Sequence, residues 1–417
     1  MHNTLPEARP AIWARKIGCG SAGNHKTEAA IILPFRVTTT RSKIVAILGA
    51  TLLTGCAGHS FPLSNRFIIP DAASDTAEVF SDTNGTLYPS GWQSYFHPKF
   101  DKKRPGEGRW RAGNLLAQSE QSPKFRSLIE RDEVRQLNEL RAFSNHHKRI
   151  FILVHGYNTS VAETTIPYSM IEAELDLKPG DGIIRFYWDG LIGKGAGALK
   201  IWFKVANDSQ LVGSRGLRAV LSQISGREVY IIAHSRGASV VMSALGNPVY
   251  ESGFFARLNR AARNWGRSYH SILAPKPLDD QSNNIHVLML APAIDRIDFC
   301  DSSQQPRRSK DFVCTKLRPL GGQVKSFDYT VNTDDPVLGK FIFSSHAFNP
   351  TGLGYSPNIG RGLKGESYPI LREYLLEKPQ SFHGFKEYAA HPVFLEMLHN
   401  IGIGKVAAQR PMEPLAN

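Results

Sequence analysis

The stretch "YIIAHSRGASVV", residues 230–241, runs from apolar, strand-like residues through a polar turn into a helix-like segment. Ser235 stands at its apex. A serine there either caps a turn or is held out as a nucleophile on the strand-turn-helix elbow G-x-S-x-G. Ala233 occupies the first glycine position and Gly237 the second, so the pattern is degenerate. The residues around the serine (Ala233, Gly237, Ala238 and Ser239) are nevertheless all small, as a tight and strained turn requires.

On either side of this stretch the chain alternates apolar runs with polar or helical sequence. The runs are 149–158 (RIFILVHGYN), 182–190 (GIIRFYWDG), 228–235 (EVYIIAHS), 285–293 (IHVLMLAPA) and 322–332 (GQVKSFDYTVN). Continuous apolar strands separated by helices predict an α/β domain, a mostly parallel, doubly wound sheet with helices on both faces. Helical spacing of Phe125, Leu128, Ile129, Val134, Leu137 and Leu140 predicts a helix over 122–143, and a second is expected over 207–224.

Composition sets the outer limits. The 417 residues are 41% hydrophobic and 10% aromatic, enough for a large core and far from a disordered chain. No apolar run reaches the ~18 residues of a membrane-spanning helix. Arg41 and Lys43 precede an apolar run from Ile44 to Leu53, which ends in Leu53-Thr54-Gly55-Cys56. Charge, short apolar core and small-residue site are the order of a secretory signal peptide. The ending resembles the bacterial lipobox, which implies that Cys56 is lipidated and begins the mature chain. Ala57 in place of aspartate after the anchor points, on that resemblance, to the outer membrane.

The resulting division is a leader and signal peptide over 1–55, its first 36 residues read as a start assigned too early. A tether and irregular segment (56–120), the α/β domain (121–405) and a short tail (406–417) follow. Residues 1–55 carry seven Lys/Arg and two Asp/Glu, so the net charge of +13 falls to about +8 from Cys56 onward. A basic surface suits a protein held beside anionic lipid. No zinc spacing or RNA-binding signature accompanies it, so nucleic acid is not expected as a partner. Cys300 and Cys314 remain as a candidate intrachain disulfide in an oxidising compartment. "FFARLNRAARNWGR" (254–267) clusters Arg257, Arg260, Arg263 and Arg267 on one helical face, either solvated or laid against anionic lipid.

The elbow makes further demands that the sequence can be tested on. Backbone N–H groups must face the developing oxyanion, and "ILVHGYN" ends a strand with His155-Gly156 two strands before the elbow. Tyr157 would give one donor and Arg236 the other. For the acid, "YTVNTDDPVLGKF" leaves a strand and offers Asp335, with Asp334, Asp295 and Asp298 as competitors. Asp335 before Pro336 would also suit a helix N-cap. For the base, His383 lies in a polar turn before Gly384, whereas His391 and His399 belong to the start and body of a last helix. The order Ser235, Asp335, His383 is that of the α/β-hydrolases.

Residues 149–400 resemble an uncharacterised bacterial α/β-hydrolase family of esterase/lipase type. The resemblance rests on His155–Asn158, Trp188 at a strand end, Ala233–Gly237, Asp335–Leu338 and the late His383. It implies the α/β-hydrolase fold and a serine hydrolase acting on small-molecule or lipid acyl esters or thioesters, with no metal or organic cofactor. An amidase or peptidase with the same triad, or a non-catalytic envelope protein on the same fold, are the alternatives.

Overall fold

The structure is a computed structural model. It describes residues 58–63, 74–94, 107–109, 115, 122–193, 196–246, 254, 256, 259, 277–301, 316–339, 351–363, 369–378 and 380–405. The chain divides into two compact units, residues 1–48 and 49–417, and every described residue belongs to the second. The signal peptide, Cys56, Cys314, and Arg257, Arg260, Arg263 and Arg267 lie outside the described residues. Cys300 is buried and disulfide-bonded.

A short antiparallel pair joins β1 (Gly58–Ser60) to β3 (Glu107–Arg109). Seven parallel strands form the main sheet. They are β2 (Thr76–Ser81), β4 (Arg149–Val154), β5 (Asp181–Trp188), β6 (Glu228–His234), β7 (Asn284–Leu290), β8 (Val324–Val331) and β9 (Ile370–Leu375). Their order across the sheet is β2-β5-β4-β6-β7-β8-β9. All five strand runs read from the sequence are interior strands of the sheet. The two it did not give, β2 and β9, are the edges.

β2 corrects the reading of 56–120 as tether and irregular segment. Thr76–Ser81 pairs in parallel with Ile183–Trp188, so the folded domain begins well before residue 121. The helix expected over 122–143 is α1, Pro123–His146, capped by the Ser122 side chain. After it comes α2 (Val161–Glu174). The helix expected over 207–224 starts earlier, as α3 (Ala196–Leu211), then widens to a π-helix over Val212–Leu217 before α4 (Arg218–Leu221). Close packing accompanies the widening. A Cβ on Gly213 would lie 2.1 Å from the Val240 carbonyl oxygen, so two backbones touch there.

Alternate residues of each strand enter opposite layers. Phe151, Leu153, Tyr230, Ile232, Leu288 and Leu290 pack with Tyr168 and Ile171 of α2 and with Tyr388, Phe394 and Met397 near the C-terminus. Ile150, Ile152, Val154, Val229, Ile231 and Ala233 pack on the other face with Val205, Val240, Val241 and Leu245. Burial on both faces is why these strands are continuously apolar.

β4 is the switch point. Its neighbours are β5 on one side and β6 on the other, so the chain crosses it between β5 and β6. A crevice opens at the carboxyl ends of strands where the order reverses. The two sides are latched by His155 and Trp188. The Trp188 backbone N–H donates to His155 Nε2 at 3.0 Å, and its indole N–H donates to the His155 carbonyl at 2.7 Å. His155 Nδ1 must then carry the proton, which it gives to the Gly156 carbonyl at 2.7 Å.

Burial holds the His155 imidazole neutral, pushing its pKa from 6.5 down to about 4. An unfolded chain takes up this proton as pH falls through 6.5, while the folded chain resists until about 4. Folding stability is therefore lost across that window and levels off below it, by about 3 kcal/mol from this group. Denaturant unfolding at pH 7 and pH 4.5 should show the loss, and His155→Gln should shrink the difference between the two. An undiminished difference in the variant would assign the acid sensitivity to other groups.

Candidate active site

The elbow is built by strain that its neighbours hold in place. Ser235 has φ 52°, the left-handed region that non-glycine residues rarely enter. Its N–H donates to the Leu290 carbonyl at 2.9 Å, and its own carbonyl accepts from Ala293 at 3.1 Å and Ala238 at 3.1 Å. α5 (Gly237–Leu245) starts at once, with Arg236 as N-cap. Gly237 is obligatory on packing grounds: a Cβ there would stand 2.6 Å from the His155 carbonyl oxygen and 2.7 Å from that of Val154.

The loop after β4 meets the same turn. A Cβ on Gly156 would stand 3.0 Å from Ser235 Cβ, so the loop lies directly against the serine. The Tyr157 N–H makes no hydrogen bond among the described residues. Asn158, at φ 59°, folds the loop back and donates to the Leu191 carbonyl at 3.0 Å. Trp202 of α3 closes this side, edge-on to Tyr157 at 5.1 Å and beneath the Arg236 guanidinium at 5.2 Å. Burial pushes the Tyr157 phenol up to about 12 against the opposing pull of Arg236.

Ser235, His383 and Asp335 come together although 148 residues separate the first from the second. Ser235 Oγ lies 2.8 Å from His383 Nε2, and His383 Nδ1 lies 2.8 Å from Asp335 Oδ2. A carboxylate only accepts, so Nδ1 is protonated and Nε2 is left to accept from the serine hydroxyl. Asp335 is held at both oxygens, and the chain after it turns without forming the expected helix over the described residues 336–339. Oδ1 accepts from the Val337 and Leu338 N–H groups at 2.9 and 3.0 Å, and Oδ2 faces the histidine.

Two of the competing acids are occupied elsewhere and the third faces solvent. Asp334 is exposed, and Asp298 accepts from the Asp295 N–H at 2.9 Å. Asp295 accepts from Arg296 and Gly352 N–H groups, capping a short turn. The last two helices among the described residues are α6 (Phe385–Ala390) and α7 (Pro392–Asn400). His391 caps α7, its ring nitrogen accepting from Val393 at 3.2 Å, and His399 is in the last turn of the same helix.

Sequence reasoning does not reach four supporting residues. Asn332 clamps the histidine loop, donating to the Gln380 carbonyl at 2.7 Å and accepting from its N–H at 3.0 Å. The Tyr388 hydroxyl, on α6, donates to Asp335 Oδ2 at 3.2 Å. Thr330 accepts from the Ala291 N–H at 2.8 Å, just beyond β7. His234 donates from Nε2 to the His383 carbonyl at 2.8 Å and stacks on Phe385 at 4.7 Å. Burial, and then the neighbouring His383, push the His234 pKa well below the ordinary value, so it stays neutral. The place of His234 beside Ser235 is the one available signal; the others leave none at their spacing. Among the described residues no cluster of His, Cys, Asp and Glu could hold a metal ion.

Residues 131–318 match the family described as alpha/beta hydrolase of unknown function (DUF900). No curated protein sequence matches the chain. Among solved structures, an acetylxylan esterase at 0.90 Å resolution is 13% identical with a TM-score of 0.24, covering 46% of this chain and 84% of its own. An iodinated complex of acetylxylan esterase is 14% identical with a TM-score of 0.23, covering 49% and 90%. An uncharacterized protein from Pseudomonas aeruginosa is 10% identical with a TM-score of 0.26, covering 68% and 51%. From its seven-stranded parallel sheet, its switch point at β4 and its family match, the chain has the α/β-hydrolase fold.

Proposed function

We propose that the protein is a serine hydrolase of carboxylic esters or thioesters, working through Ser235, His383 and Asp335. The observation that carries this reading is the unbroken hydrogen-bonded relay from Ser235 Oγ through His383 to Asp335, starting from a serine in the left-handed region. A hydroxyl is a weak nucleophile. His383 Nε2 takes its proton as Oγ attacks the acyl carbon, then returns it to the leaving alcohol or thiol. Asp335 fixes the imidazole tautomer and stabilises its charged form. The N–H groups of Tyr157 and Arg236 receive the negative charge that develops on the carbonyl oxygen. Water then repeats the sequence on the acyl-enzyme. A neutral His234 adds no positive charge beside the imidazolium as it forms.

The reading extends to the cell envelope. The Leu53–Cys56 sequence and the charged, apolar stretch before it support a lipid anchor at Cys56, in the outer membrane on the strength of Ala57.

A fluorophosphonate should label the chain at Ser235, and Ser235→Ala should lose labelling and all but a trace of short-chain ester hydrolysis while unfolding normally. His383→Ala should lose activity to a similar degree, and the double variant should be no worse than either, because the members act as a unit. An active Ser235→Ala protein would end the nucleophile assignment.

Asp335→Asn should lower kcat by about 10⁴-fold by favouring the wrong imidazole tautomer. Asp334→Asn, at an exposed position, should leave kcat within about twofold. The reverse pattern would move the acid by one residue.

Cys56→Ser should leave the chain unprocessed or release it from membranes. Processing and membrane attachment both equal to those of the natural chain would remove the anchor from the proposal.

A further inference from the structure

The four residues that open the described structure do not behave as a tether. Gly58 forms a two-way backbone pair with Ile192, N–H to carbonyl at 2.7 Å and back at 3.0 Å. The Ser60 N–H donates to Asp189 Oδ1 at 3.0 Å, and His59 Nδ1 bonds Asp189 Oδ2. His59, Ser60 and Phe61 are all buried, and Phe61 stacks on Trp92 at 5.8 Å. Backbone pairing, a buried histidine–carboxylate hydrogen bond and an aromatic anchor fix this strap to the domain.

The place where it is fixed adjoins the candidate active site. Asp189 and Ile192 lie just beyond the carboxyl end of β5. The loop they share runs against the donor loop. Asn158 takes the Leu191 carbonyl at 3.0 Å and the Gly193 N–H at 2.7 Å, and a Cβ on Gly190 would stand 2.9 Å from Tyr157 Cα. One loop thus lies between Gly58 and the Tyr157 donor.

Cys56 precedes Gly58 by two residues, a span of at most about 7 Å. A flexible tether of about thirty residues would by contrast wander about 30 Å and leave the domain free to turn. We propose that the strap holds the carboxyl end of the sheet, with Ser235 in it, against the bilayer, so that the substrate class is a membrane-borne long-chain acyl ester. The inference rests on the serine hydrolase and anchor readings above. Acyl chains inserted at Cys56 bring Gly58 to headgroup level, and the loop after β5, against which the Tyr157 loop lies, comes with it. An ester group lies at that same depth, where its acyl chain meets its headgroup. The positive net charge favours the same approach to anionic lipid.

The test lengthens the tether without touching the strap. A flexible Gly/Ser spacer of about twelve residues is inserted between Ala57 and Gly58 in the full, lipidated chain. Natural and lengthened proteins are reconstituted in phosphatidylethanolamine/phosphatidylglycerol vesicles. Turnover is then read on nitrophenyl palmitate dissolved in the vesicles and on nitrophenyl acetate in the water. The spacer should lower palmitate turnover by about tenfold, as effective concentration falls with tether length, and leave acetate turnover unchanged. Palmitate turnover that survives the spacer would overturn apposition and leave the hydrolase reading standing. Equal loss on both esters would make the strap a structural clamp and overturn the proposal. Natural protein that turns over acetate but does not stay on the vesicles removes the anchor, and with it the apposition. Natural protein inert to both esters overturns this inference and the hydrolase reading together.

Discussion

The backbone of Ser235 is the constraint on which the site depends. Holding a serine at φ 52° costs on the order of 1–3 kcal/mol and persists only where the surroundings over-determine it. Three backbone hydrogen bonds, to Leu290, Ala293 and Ala238, do so from the carboxyl end of β7 and the first turn of α5. The crowding that fixes the turn also fixes what stands around it. Because Gly156 and Gly237 have no side chains, the loop after β4 lies against the serine and the helix starts directly behind it. Ser235 and the backbone of Gly156 and Gly237 thus crowd into one small space at the sheet's switch point.

Three histidines converge there, and each makes a different set of contacts. His155 is neutral and latches β4 to β5 through Trp188. His234 is neutral and holds the loop of His383 by its backbone carbonyl. His383 alone stands between a hydroxyl and a carboxylate. Asp335 is held from both sides, by two backbone N–H groups on one oxygen and by Tyr388 with the histidine on the other. The carboxylate is thereby fixed in place beside the imidazole.

The interior of the fold was legible in the sequence and its margins were not, for one physical reason. β4, β6 and β7 are covered on both faces, so they are written as continuous apolar runs. β2 and β9 are edges and carry charge: Glu78 faces Arg185, and Arg372 pairs with the buried Asp328. "TAEVFS" and "ILREYL" therefore look like loop or surface helix. The π-helix was hidden because Gly213 and Gly216 break the helical period where α3 meets α5. In the site, Ser235 and the Gly156 loop announced themselves by local pattern. His383 could be reached only by elimination, since a histidine in a turn has no periodicity. Asn332 and Tyr388 act through contacts 48 and 53 residues apart in the chain, which no local pattern encodes.

The departure at Ala233 shows which part of the elbow pattern is physical necessity. Ala233 is still inside β6, paired with Val154 on one side and Met289 on the other, and its methyl group enters the apolar layer under the sheet. A single methyl fits there because the residue has ordinary strand geometry and apolar neighbours. Gly237 lies two residues past the serine, where two carbonyl oxygens of the neighbouring strand end stand within 2.7 Å of any Cβ. Burying a methyl group against two polar oxygens at that distance would push α5 away from β4 and take the Arg236 N–H with it. The first glycine of the pattern is a packing preference; the second sets how closely α5 can approach the end of β4, and only the second is kept.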